Sequence, residues 1–225
     1  MNTKMKTILG VTALALAPML SGSVQAGPSS NVAYTVDTIN MIKSADAEAG
    51  KAKAAACGSC HGAEGIAPNP GWPSLAGQNA NYTYKQLVDY KDRTRADMMM
   101  MGMVMASSQQ DMADIAAYYA TLPLPAAKEA SGDMSGADVM VNRGAADRDT
   151  PVPACKSCHG RSGEGQWVGV PALAGQNAAY TKGTMMKYKN GSRGNDVYSV
   201  MRNIAKSLSD EEIGALADYY AAMGN

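Results

Sequence analysis

The fold of this chain is decided by a short stretch that occurs twice. Cys57-Gly-Ser-Cys60-His61-Gly62 returns 98 positions later as Cys155-Lys-Ser-Cys158-His159-Gly160. At the same offset, Pro73-Ser-Leu-Ala-Gly-Gln-Asn79 returns as Pro171-Ala-Leu-Ala-Gly-Gln-Asn177. Farther along, the offset becomes 101, and the Ala-x-Tyr-Tyr that ends at Tyr119 matches the one that ends at Tyr220. Self-similarity at a fixed spacing is typical of a duplicated structural unit, so the sequence predicts two like modules.

The segments outside the repeat are bounded by composition. Residues 1–26 have the features of a secretory signal: an early pair of lysines, an apolar run over residues 8–20 and a small-residue cleavage site at Ala26. The apolar run is too short for the ~20 residues that cross a bilayer, although a retained membrane anchor is the alternative. We predict an extension over 27–43, a first domain over 44–123, a linker over 124–132 and a second domain over 133–225, because two prolines near residue 124 interrupt any helix.

Within each module the pattern is helical, and we expect an all-α fold of two tandem domains. Ser44 is expected to cap a helix over Ala45–Ala56. Two Ser-x-x-acid signatures, Ser108 with Asp111 and Ser209 with Glu212, predict helices that end at Tyr119 and Tyr220. Further helices are expected over Tyr82–Lys91 and, more weakly because of Gly183, over Tyr180–Lys189.

The composition excludes some classes of partner. The 225 residues carry 20 basic and 20 acidic side chains, a formal net charge of zero. A chain with neither a basic balance nor a basic block does not have the electrostatic footprint of a nucleic-acid-binding protein. We therefore expect no nucleic-acid partner.

The chemistry lies in Cys-x-x-Cys-His. Two thiols on one helical turn can bond covalently to the vinyl groups of a haem, and the adjacent histidine then ligates the iron. Two copies in register predict two haem c groups, attached through Cys57, Cys60, Cys155 and Cys158 and ligated by His61 and His159. Three alternatives fit this chain less well. A structural zinc site would need a different spacing between the cysteine pairs, and a thioredoxin-like redox pair would need a βαβ context. Structural disulfides would leave both histidines unexplained.

A methionine is expected as the second axial ligand of each iron, since every histidine and cysteine is already used. Met100 lies 18 residues before Tyr118, and Met201 lies 18 residues before Tyr219. A thioether ligand occupies the remaining coordination position of the iron and raises its reduction potential. Because Met100 stands in a run of six methionines, Met101 and Met103 are alternatives to it.

The other methionines of this run, which spans residues 98–105, have two interpretations. We expect flexible apolar fillers around a haem edge. The alternative is a soft copper site, although no histidine or cysteine accompanies the run.

One proline follows each histidine at the same spacing. Pro73 comes 12 residues after His61, and Pro171 comes 12 residues after His159. A proline carbonyl can accept the proton of the far imidazole nitrogen and so orient the ring and raise its basicity. The matched spacing favours this role over that of an ordinary turn proline.

On these motifs, together with the segment from Met201 to Ile213 before the last helix, the sequence closely resembles the dihaem cytochromes c4. The resemblance implies two class I-type cytochrome c domains related by a pseudo-two-fold axis. It implies a periplasmic electron carrier, loosely associated with the membrane in many members, that takes electrons from a respiratory donor and delivers them to a terminal oxidase or another reductase. It also implies contacts from Arg95 and Arg193 to haem propionates, against the alternative of two solvated arginines.

We therefore expect outer-sphere electron transfer by two His/Met-ligated haems, with no small-molecule substrate and no enzymatic activity. A dihaem peroxidase-like enzyme and a haem-based gas-binding module are the alternatives. Both would need one iron without its methionine.

Overall fold

A computed structural model describes residues 29–129, 132–166 and 169–224, so the predicted secretory signal lies outside the described residues. These residues form eleven α-helices: α1 (Val36–Lys43), α2 (Ala47–Lys53), α3 (Gly58–His61), α4 (Ala80–Lys91), α5 (Met98–Val104), α6 (Gln109–Thr121), α7 (Ser135–Arg143), α8 (Lys156–His159), α9 (Ala178–Lys189), α10 (Val200–Lys206) and α11 (Asp210–Ala222). Short 3-10 turns cover Ala54–Ala56 and Val197–Ser199. In the described ranges the only β-type pairings are two isolated bridges, Ala145–Val152 and Gln166–Val170. The all-α prediction is confirmed.

Each half of the chain has its own hydrophobic core. The first core is centred on Tyr119 and Met112 of α6, both 1% exposed. The second is centred on Ile213 and Tyr220 of α11. The same helix of each module thus supplies the centre of its core, as expected for duplicated units.

A close helix contact of the first module depends on a glycine. A Cβ built at Gly50 of α2 would lie 1.9 Å from the carbonyl oxygen of Asp114 on α6. Only a residue without a side chain allows the two backbones to approach this closely. The crossing of α2 over α6 is therefore set by Gly50.

The start of α2 differs from the prediction. Asp46, not Ser44, caps this helix, and its carboxylate accepts from the backbone N–H groups of Glu48 and Ala49 at 2.9 and 3.1 Å. Ser44 instead ends α1, where its hydroxyl donates to the carbonyl of Asn40. Serine and aspartate are both good N-cap residues, but α1, which we did not predict, ends at Ser44, and the next helix therefore starts at Asp46.

The two capping boxes are present as predicted. Ser108 accepts from the backbone N–H of Asp111 while the Asp111 carboxylate accepts from the Ser108 backbone, and Ser209 and Glu212 repeat the arrangement. Gly183 does not interrupt α9, which is as long as α4. A Cβ at Gly183 would meet nothing within 4 Å, so this glycine costs only its own helix propensity.

The described part of the N-terminal extension folds onto the first module. Helix α1 contacts α4 and α6, and Ile42 belongs to the first core. Upstream, Ser30 donates to the Asp89 carboxylate at 2.5 Å, and the Tyr34 hydroxyl donates to the Asn81 carbonyl at 3.0 Å. The two modules are therefore not equal, because α1 has no described counterpart in the second.

The two modules meet through the repeated Pro-x-Leu-Ala-Gly-Gln segments. The side chain of Gln78 donates to the carbonyl of Ala172 at 3.0 Å and accepts from its N–H at 2.8 Å. The side chain of Gln176 makes the same two bonds to Ser74, each of 2.9 Å. All four residues are buried, so each module satisfies backbone groups that the other leaves open. The exchange follows a local two-fold symmetry.

None of the helices in the described ranges combines the length and the apolar character needed to cross a membrane.

Candidate functional site

Each Cys-x-x-Cys-His motif forms a single tight helical turn. The N–H of His61 donates to the Cys57 carbonyl at 3.0 Å, and His159 repeats this with Cys155 at 2.9 Å. No disulfide joins any two of the four cysteines. The thiols of each pair and the adjacent imidazole are therefore available on one short element.

The glycine after each histidine is required by the backbone. Gly62 and Gly160 have φ values of +82° and +86°, in the region that favours glycine. A Cβ at Gly62 would also lie 2.1 Å from the carbonyl oxygen of Ile66. The positive φ ends the turn directly after the histidine.

Both histidines are buried and oriented by a proline carbonyl. The Nδ1 of His61 lies 2.8 Å from the Pro73 oxygen, and the Nδ1 of His159 lies 3.0 Å from the Pro171 oxygen. A carbonyl can only accept, so Nδ1 carries the proton and Nε2 keeps its lone pair. Burial lowers the pKa of both imidazoles and outweighs the opposing effect of the carbonyl, which favours the neutral form that binds a metal.

The predicted axial methionines lie on short helices: Met100 on α5, which follows α4, and Met201 on α10, which follows α9. Met100 on α5 is half-buried and packs against the first core, whereas Met103 is 48% exposed. Met201 on α10 is half-buried and lies two residues after Ser199; Tyr198 and Ser199 have positive φ values of 54° and 59°.

The rest of the methionine run is exposed in this structure. Met98, Met99 and Met105 are 85%, 58% and 63% exposed. On a helix of 3.6 residues per turn, Met98 and Met105 lie about 140–160° around α5 from Met100, on nearly the opposite side. Met98 and Met105 therefore do not face the side of the helix that Met100 presents to the core, and their place beside a haem edge stays a prediction.

Arg95 and Arg193 meet at the module interface. Arg95 donates to the hydroxyl of Tyr180 at 3.1 Å, and Arg193 donates to the hydroxyl of Tyr82 at 3.2 Å. Arg193 is 4% exposed and Arg95 is half-buried, so neither is a solvated surface residue. Each guanidinium also stacks on a tyrosine of its own module, 4.6 Å from the Tyr90 ring centre for Arg95 and 4.5 Å from the Tyr188 ring centre for Arg193.

Side chains at positions that differ between the two repeats form hydrogen bonds around these arginines. The Gln86 side-chain oxygen accepts from Arg95, Arg193 and Asn195 at 2.8, 2.9 and 3.0 Å. Lys85 donates to the Asp89 carboxylate at 2.5 Å and to the Asn195 carbonyl at 2.6 Å. Sequence reasoning missed this set, because comparing the repeats draws attention only to matched positions and Lys85 corresponds to Gly183.

The charges at the interface fit a haem with its propionates. Lys85, Arg95 and Arg193 carry three positive charges against the single carboxylate of Asp89. Within the described residues, Nη1 of the buried Arg193 has no hydrogen-bond partner. Burial opposes ionisation of the Tyr180 phenol, but the two arginines outweigh it and hold the Tyr180 pKa well below its usual range. A site that stabilises a phenolate and leaves a buried cationic donor unpaired is suited to an added carboxylate.

Two family models match the chain, one over each module. Residues 47–123 match the family described as "Cytochrome c", and residues 143–219 match the one described as "Cytochrome C oxidase, cbb3-type, subunit III". Two cytochrome c domains carry two covalently bound haem c groups, and Cys57, Cys60, Cys155 and Cys158 stand in the positions of the attachment motif.

Known relatives match most of the chain. Cytochrome c4 of Pseudomonas aeruginosa is 39% identical over 176 residues, which cover 77% of this chain and 87% of the relative. A thiosulfate dehydrogenase electron acceptor of Stutzerimonas stutzeri is 35% identical over 176 residues, 76% of this chain and 80% of the relative. The crystal structure of reduced recombinant cytochrome c4 from Pseudomonas stutzeri superposes with a TM-score of 0.75 at 37% identity, covering 80% of this chain and 99% of that one. With two cytochrome c domains, an all-helical fold and these relatives, the chain belongs to the cytochrome c4 family of dihaem electron-transfer proteins.

Proposed function

We propose that this protein is a periplasmic electron carrier in which His61 and Met100 ligate one haem iron and His159 and Met201 ligate the other. The observation that carries the proposal is the duplicated environment of the histidines: each is buried, and each has its Nδ1 bonded to a proline carbonyl 12 residues later. When bound, haem c supplies an iron that changes between the ferrous and ferric states.

The protein's own residues hold the site in one arrangement. The carbonyls of Pro73 and Pro171 keep the imidazole rings in a single orientation and tautomer, with Nε2 as the ligating atom. The packing of Met100 against the first core supports it as the ligand in preference to Met103, which is 48% exposed. Fixed ligands on both sides of an iron favour electron transfer without exchange of ligands.

Arg95 and Arg193 are proposed to hold haem propionates at the interface. The surplus of positive charge there and the unpaired Nη1 of Arg193 support this role. In the same proposal the two domains span 44–123 and 133–225, joined by a linker over 124–132.

The proposed partners are a respiratory donor and a terminal oxidase or another reductase, together with a loose, peripheral association with the membrane. Relatives that are named as electron acceptors of thiosulfate dehydrogenase favour a periplasmic dehydrogenase as one class of donor. Without the two lysines of the predicted secretory signal, the chain carries 18 basic and 20 acidic side chains, a net charge of −2, so we expect only weak electrostatic steering of these partners and an association rate that changes little with salt.

A redox titration of the purified holoprotein tests the ligation. Met100→Leu and Met201→Leu are each expected to lower one of the two potentials, by a fraction of the roughly 0.8 V range that axial ligands span, and to leave the other nearly unchanged. Each should also remove half of the methionine-to-ferric charge-transfer band.

Met101→Leu and Met103→Leu are the matched controls on the same helix, and neither should change either potential. If one of these controls lowers a potential instead, the assignment of Met100 is wrong. If the unmodified ferric protein shows the charge-transfer band of only one haem and turns over peroxide, or if the reduced protein binds carbon monoxide rapidly, one iron is open and the carrier proposal fails.

A further inference from the structure

Helix α5 presents three thioethers on a side that iron ligation does not use. Met98, Met101 and Met105 are spaced i, i+3 and i+7, so they follow one another along one face of the helix. This face lies about 100–160° around the helix from Met100. Met98 is 85% exposed and Met105 is 63% exposed, while Met101 is half-buried.

Neither haem ligation nor core packing accounts for this face. The equivalent helix of the second module, α10, contains a single methionine, Met201, so the fold does not require the others. Val104 and Met100 supply the apolar contacts of α5 with the first core. A methionine side chain that stays exposed contributes little hydrophobic stabilisation to the fold, so a solvent-facing run of methionines needs another explanation.

The chemistry of this face favours a soft monovalent cation. A thioether is a neutral, polarisable ligand that binds Cu(I) well and binds Mg²⁺, Ca²⁺ or Mn²⁺ poorly. Neighbouring positions of the group have Cβ atoms about 5–6 Å apart, within reach of flexible methionine side chains around one ion. Gly102 lies beside the group, and a Cβ there would meet nothing within 4 Å, so the space next to the thioethers is open.

We propose that Met98, Met101 and Met105 form a Cu(I)-binding site on the surface of the first module. In the described part of the chain, no cluster of three or more His, Cys, Asp or Glu side chains could hold a metal ion, so these thioethers are not accessory to a conventional site. The proposal rests on the proposed function in one respect, since it needs Met100 and not Met101 as the ligand of the first iron; Met98 and Met105 face away from Met100.

Equilibrium dialysis of the holoprotein against Cu(I) tests the site. The protein is kept fully reduced with ascorbate under argon, so that ferric iron cannot oxidise the copper, and bound copper is counted by elemental mass spectrometry. The unmodified protein should bind one Cu(I) per chain, and Zn²⁺ in excess should not displace it. The Met98→Leu/Met105→Leu double variant should weaken binding at least tenfold, because it leaves one thioether of three.

Met99→Leu/Met103→Leu is the matched control, since it removes the same number of exposed thioethers from another face of the same helix. Leucine has a similar volume and a comparable helix propensity, so both variants should fold and keep two haems. As a second measurement, the methionine methyl NMR signals of Met98, Met101 and Met105 should shift when Cu(I) is added to the reduced protein, and those of Met99 and Met103 should not.

The proposal is overturned if the unmodified protein binds no Cu(I), or if the Met98→Leu/Met105→Leu variant binds it unchanged. Equal losses in the two double variants would also overturn it, since they would indicate binding to the run as a whole and not to one face.

Discussion

Replacing Gln176 with leucine removes the bonds through which the second module satisfies a buried backbone segment of the first. The amide of Gln176 donates to the Ser74 carbonyl and accepts from the Ser74 N–H, both at 2.9 Å, and it also accepts from the N–H of Asn177 at 2.9 Å. Ser74 is 2% exposed, so water cannot replace the lost partners without opening the interface. Leucine keeps most of the volume, and the effect should therefore come from the hydrogen bonds.

The expected loss follows from counting these groups. A buried polar group left without a partner costs about 1–3 kcal/mol, and three bonds are lost, although leucine recovers part of this by burying more apolar surface. We expect the free energy of unfolding to fall by about 3–4 kcal/mol. For a chain of this size that corresponds to a midpoint lower by about 0.5 M or more in guanidinium chloride.

Unfolding of the ferric holoprotein followed by far-UV circular dichroism measures this midpoint. Gln78→Leu, the symmetric change, should lower it by a similar amount because Gln78 makes the same bonds to Ala172. Gln109→Leu, at an exposed glutamine of α6, is the matched control and should shift the free energy by no more than about 0.5 kcal/mol. Midpoints within about 0.1 M of the unmodified protein for both interface variants would refute the reasoning.

Two further predictions concern the helices. Gly50→Ala should destabilise the protein by about 3 kcal/mol, since its Cβ would lie 1.9 Å from the Asp114 carbonyl oxygen. Gly183→Ala should stabilise it by about 0.5–1 kcal/mol, because a Cβ there would meet nothing within 4 Å. Calorimetric melting temperatures check both signs, and a neutral Gly50→Ala would contradict the close approach of α2 and α6. Lys53 Nζ lies 2.7 Å from the Asp111 carboxylate, and the hydrogen bond between them lowers the pKa of Asp111 in the folded state. The stability that this ion pair contributes is therefore present above the usual aspartate pKa, and it is lost as the pH falls through the lower pKa of the folded state. Lys53→Met should therefore flatten the decline of unfolding free energy between about pH 4 and pH 2, measured by denaturant titration across that interval, and an unchanged slope would show that the pair is not responsible.

Features carried by neighbouring residues could be predicted from the sequence. Ser108 with Asp111, and Ser209 with Glu212, form their capping boxes because a cap depends only on a serine and on an acid three positions later. The repeat likewise predicted two modules, because duplicated positions share one fold.

Features that depend on three-dimensional neighbours could not be predicted in this way. Serine and aspartate are both good N-cap residues, and which of Ser44 and Asp46 starts α2 depends on where α1 ends. Gln78 and Gln176 were visible as a repeated pair, but their partners are backbone groups of the other module, which carry no side-chain signature.

The reciprocal bonds of Gln78 and Gln176 have the isologous form of a homodimer interface, in which one patch recognises its own copy. In a pair of separate chains such an association would depend on protein concentration. Fusing the two copies makes it intramolecular, with an effective concentration in the millimolar range for a short tether. Tandem fusion of the two copies therefore keeps the two haem-binding modules in contact even when the protein is dilute.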